Sequence, residues 1–201
     1  MDRIKNNLSS LVCAVIGLLV IVFSFIPAIT YAIDAFGIEF STSVNQFGVM
    51  GMTSGNLTLE VNGGNADFES GFLGALAGIS SILAFIATLA LLIWGVLNLL
   101  KAFKVVSVLP EDLPTEKLSV MFLLLNLVAN ILTFVCILLF CLDNQENQGT
   151  ASAGLYVAVG VYLNLILSVL GIVAQKLLPH FFHKTPAASE ETAEPAETTT
   201  E

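Results

Sequence analysis

Leu118 to Leu142 reads LSVMFLLLNLVANILTFVCILLFCL, 25 residues with no Asp, Glu, Lys or Arg among them. A buried core helix has no need of such a run. A helix crossing a hydrocarbon layer about 30 Å thick needs about 20 apolar residues at 1.5 Å each. Three similar runs stand around it: about Leu8 to Ile33, Phe72 to Leu100 and Ala151 to Leu177. Helices are expected for all four, because backbone amides find no water partner in lipid. The sequence therefore predicts an all-α integral membrane protein, a bundle of four transmembrane helices.

Composition agrees. Hydrophobic residues make up 56% of the chain and charged residues 11%, with a mean hydropathy of +0.88. A soluble domain carries about 25% charged residues, and one this apolar would expose large sticky patches.

The basic residues give the orientation. Arg3 and Lys5 precede the first run, Lys101, Lys104 and Lys117 lie between the second and third, and Lys176 and Lys184 end or follow the fourth. The other two connections have no Lys or Arg. Basic residues near span ends stay in the cytoplasm. Both termini are thus expected inside. Residues 1–7 form the inner N-terminus, 34–71 a large outer loop, 101–117 an inner loop, 143–150 a short outer loop and 178–201 an acidic inner tail. The tail is expected to be disordered, since it lacks the apolar residues that offset ordering entropy.

The first run shares a basic start and a small-x-small triplet, Thr30-Tyr31-Ala32, with cleaved signal peptides. Its apolar core from Leu11 to Ile26 is long for that role, so it is read as a retained span. Pro27 is expected to kink its outer third.

The outer loop carries a different period. Leu57, Leu59 and Val61 alternate with Thr58, Glu60 and Asn62; Ile38, Phe40 and Thr42 alternate with Glu39 and Ser41. Alternation predicts strands with one covered face, and Asn62-Gly63-Gly64-Asn65 is a turn signal. A small β-hairpin or sheet is expected in this first extracellular loop, packed on the outer helix ends because a lone hairpin is marginal. Phe47, Val49, Met50 and Met52 favour that docking. The loop's charges, Asp34, Glu39, Glu60, Asp67 and Glu69, are all acidic, and Asp143 and Glu146 follow in the short outer loop. Such a surface repels nucleic acid.

Candidate functional residues lie inside the runs. Asn126 and Asn130 share one face of the third, and Asn164 and Ser168 one face of the fourth. An amide in hydrocarbon is costly, so these turn inward, as interhelical ties or as the lining of a polar path. Gly74 and Gly78, and Gly154 and Ala158, are small-xxx-small pairs expected to pack helices closely. No ionisable residue lies deep in a run, which disfavours ion or proton coupling.

Catalytic chemistry finds little support. Asn65, Asp67 and Glu69 begin like a calcium loop, but Leu76 stands where the bidentate Glu belongs. His180 and His183 lack a third metal ligand. Cys13, Cys136 and Cys141 all fall within runs, so no disulfide framework is expected. No cofactor, metal or catalytic residue is assigned. The expected function is that of a non-enzymatic scaffold or accessory subunit, or else a small channel or transporter component. The expected partners are the bilayer, a second copy of the chain or another membrane protein.

Four spans, inner termini, a large strand-bearing first outer loop and a small second one together resemble the claudin layout. The claudin signature of tryptophans, a Gly-Leu-Trp triplet and two cysteines has no counterpart in residues 34–71, so no site residue is carried over. The preference for Lys over Arg and the cysteine-free loop fit a bacterial plasma membrane.

Overall fold

The computed structural model describes residues 8–35, 38–54, 56–61, 64–69, 71–105, 114–148 and 151–182. The terminal segments, the middle of the inner loop and the side chains of the candidate calcium loop lie outside the described residues.

The protein is mostly helical. Among the described residues three helices are long and apolar enough to cross a membrane: α3 (Gly71–Ala102), α4 (Thr115–Asp143) and the Val159–Leu177 part of α5 (Val159–Phe182). The first helix, α1 (Leu8–Phe23), is apolar but has only 16 residues. Helix α3 packs on α1 and α4, and α5 on α1 and α4.

These helices are inverted relative to those of a soluble bundle. On α4, Ser119, Asn126, Asn130 and Thr133 are buried while Leu124, Val128, Ile131 and Leu139 are exposed. On α5, Gly160, Asn164, Ser168, Gly171 and Gln175 form the buried stripe, and Ile166, Val169, Leu170 and Val173 face outward. Small and polar side chains within, with branched apolar ones outside, are what lipid favours, since it gives no driving force to bury a leucine. A membrane-embedded protein follows from this inversion together with the three long helices.

The ends of the first and fourth runs differ from expectation. Rather than a helix kinked at Pro27, the chain leaves α1 at Phe23 and enters a strand, β1 (Pro27–Ala35). Proline has no N–H to continue the ladder and is tolerated as the first residue of a strand. Rather than a helix from Ala151, the fourth run opens with β6 (Ala151–Val157), and α5 starts two residues later. Between these lie β2 (Ile38–Asn45), a short helix α2 (Gln46–Gly51), a 3-10 turn (Met52–Ser54), β3 (Asn56–Val61), β4 (Gly64–Glu69) and β5 (Gln145–Gln148).

The strands form two sheets. One is four-stranded and antiparallel in the order β2-β1-β6-β5; the other is the β3-β4 hairpin. The sheet is thus not confined to the first outer loop. Its central pair joins residues some 120 positions apart, with Ile29 opposite Val157 and Tyr31 opposite Leu155. Ile29 and Leu155 are fully buried, whereas Tyr156 is exposed, so one face covers the bundle.

The core has two apolar clusters. One, under the sheet, gathers Ile29, Val49, Met52, Leu57, Ile137, Phe140 and Leu155. The other, toward the opposite end, gathers Val12, Cys13, Ile16, Val20, Leu91 and Leu123.

Candidate functional site

A buried polar chain separates the two clusters, with side chains from α2, α3, α4 and α5 and from Ser24 just past α1. Thr88 on α3 donates to Asn126 Oδ1 on α4 at 2.8 Å, and Asn126 Nδ2 donates to Ser168 Oγ on α5 at 3.0 Å. Ser168 donates to its own Asn164 backbone carbonyl at 2.8 Å. Asn164 Nδ2 then donates to Gln46 Oε1 at 2.9 Å, and Ser24, just past α1, donates to the same oxygen at 2.9 Å. Asn130 Nδ2 bonds back to the Asn126 backbone carbonyl at 2.9 Å and to its Oδ1 at 3.3 Å. All seven side chains are at least 95% buried.

The sequence-predicted cluster of Asn126, Asn130, Asn164 and Ser168 is therefore brought together, but not as two separate pairs. Asn126 and Ser168 bond directly. Asn130 serves Asn126. Asn164 turns instead toward the sheet end and Gln46. Sequence reasoning missed Thr88, Ser24 and Gln46. Thr88 and Ser24 sit in apolar runs where a single hydroxyl can bond its own i−4 carbonyl, and the one proton of each has that carbonyl, of Ala84 or Val20, within reach as an alternative acceptor. Gln46 looked like an ordinary loop residue. It starts α2 behind its N-cap Asn45, whose Oδ1 accepts from Gly48 N at 3.1 Å. The cap turns the chain so that Gln46 faces inward, and the neighbouring Phe47 packs on Phe25 and Phe85, with ring centroids 4.9 and 5.4 Å away.

The chain is closely satisfied. Asn126 uses its carbonyl and its amine, and Ser168 both donates and accepts. The exception is Asn164 Oδ1, which is buried without a partner. A second tie lies nearer the far end: Trp94 Nε1 donates to Ser119 Oγ at 3.0 Å, and Asn98 Nδ2 to the Trp94 carbonyl at 2.8 Å.

The small-residue pairs behave differently from expectation. Gly78 does admit a close approach, but of α2 and the 3-10 turn that follows it. A Cβ there would lie 2.8 Å from Thr53 N and 3.2 Å from Val49 O. Gly74 is buried on the same helix. Gly154 is in β6, opposite Ala32, and Ala158 N bonds the Ala28 carbonyl at 2.9 Å, so neither packs one helix on another. They fall in the strand and its junction because cross-strand pairing overrides helix preference there. The close helix crossings are at Gly95, where a Cβ would lie 2.4 Å from Ala14 N, and at Gly17 against Leu92.

Among the described residues no group of three His, Cys, Asp or Glu is placed to hold a metal. The three cysteines are buried and unbridged. No protein family matches the chain, and no curated protein matches it by sequence.

Proposed function

We propose that this is a non-enzymatic, four-crossing membrane protein acting as a scaffold or accessory subunit, with its strand-built cap outside and its termini in the cytoplasm. The observation that carries the reading is the Gln46–Asn164 bond. It ties the cap to a polar chain that runs through the helices, so cap and bundle form one fixed platform. The acidic, lysine-free outer segments give that platform a face for another membrane protein or a second copy of the chain.

Four crossings are supported by the end of α1. Its 16 residues rise about 24 Å as α-helix. The bonds Phe25 N to Val22 O and Ile26 N to Phe23 O continue it as a tighter turn for three residues, adding about 6 Å. The sum matches a ~30 Å hydrocarbon layer. Val15, Leu18 and Val22 form its exposed apolar stripe. The helix order and the outer strands keep the claudin-like layout as part of this reading, and the residue preferences suit a bacterial plasma membrane.

A pore along Asn126, Asn130 and Asn164 is the second reading. Their bonds within the buried polar chain oppose it, because a permeation path needs polar groups that face water. Purification in mild detergent with a mass measurement separates the two: a defined hetero-complex or dimer supports the platform, and a closed ring supports a pore. Flux into proteoliposomes that disappears in Asn130→Leu and Asn164→Leu, with folding retained, would overturn the scaffold reading.

A further inference from the structure

We draw no further inference here: the strongest candidate, the face of the four-stranded sheet turned away from the helices, where Ser43, Thr30 and Tyr156 stand in one cross-strand row, carries nothing because nothing in the structure shows what covers it.

Discussion

Asn126 Nδ2 donates to Ser168 Oγ at 3.0 Å while Asn126 Oδ1 receives the Thr88 hydroxyl at 2.8 Å, so one side chain joins α3, α4 and α5. Its partners nevertheless have alternatives. Thr88 also reaches the Ala84 carbonyl at 2.8 Å, Ser168 keeps its bond to the Asn164 carbonyl, and Asn130 keeps the Asn126 backbone. Removing the amide strands no neighbour. We expect Asn126→Leu to cost under about 1.5 kcal/mol, with a Thr88→Val/Asn126→Leu double-mutant coupling near 0.6 kcal/mol, typical of interhelical bonds in bilayers. Unfolding in mixed micelles would check both; a coupling above about 2 kcal/mol would mean that Thr88 depends on Asn126 alone.

Gly95 is the strictest small position in the bundle. A Cβ there would meet Ala14 N at 2.4 Å and Ser10 O at 2.9 Å, which are backbone atoms of α1 that cannot swing aside. Gly95→Val should cost about 3 kcal/mol or more through the forced separation of the helices. Gly51→Ala, where nothing lies within 4 Å, is the control and should stay within about 1 kcal/mol of the wild type.

Lys104 holds a left-handed backbone, φ 59°, just past α3. Its N–H bonds the Lys101 carbonyl at 2.9 Å and the next N–H, of Val105, bonds Leu100 at 3.0 Å, the two bonds of a Schellman cap. Glycine is the usual residue there because a Cβ strains this conformation by about 1–2 kcal/mol. Lys104→Gly should therefore stabilise the protein by about 1 kcal/mol in the same unfolding assay, and a loss of stability would show that the lysine side chain contributes more than its backbone strain costs.

The orientation is testable at the sheet. Ser43 is exposed on β2, and the three native cysteines are buried, so background labelling is low. The Ser43→Cys variant should react with a membrane-impermeant maleimide in intact cells, and the Lys104→Cys variant only after lysis. The reverse pattern would invert the topology.

The strands are partly legible in the residue pattern alone. The alternation of Ile38, Phe40 and Thr42 marks β2, and that of Leu57, Leu59 and Val61 marks β3. Pro27 to Ala35 cannot be read in the same way. Alanine, isoleucine and tyrosine continue an apolar run, and such a run suits a helix or a covered strand equally. What decides it is pairing with Ala151–Val157, a segment far along the chain.

The sequence by itself determined the apolar character of the long helices and the grouping of the lysines at alternate connections between the apolar runs. Both are additive properties: each residue contributes its transfer free energy or its charge whatever it later touches. Only the tertiary structure decided where the helices give way to strands, that Gln46 reaches Asn164, and that Gly78 receives α2 and the 3-10 turn after it rather than another long helix. Those outcomes depend on groups that meet only after the chain has packed, since a hydrogen bond or a close approach belongs to two residues at once and neither carries it alone.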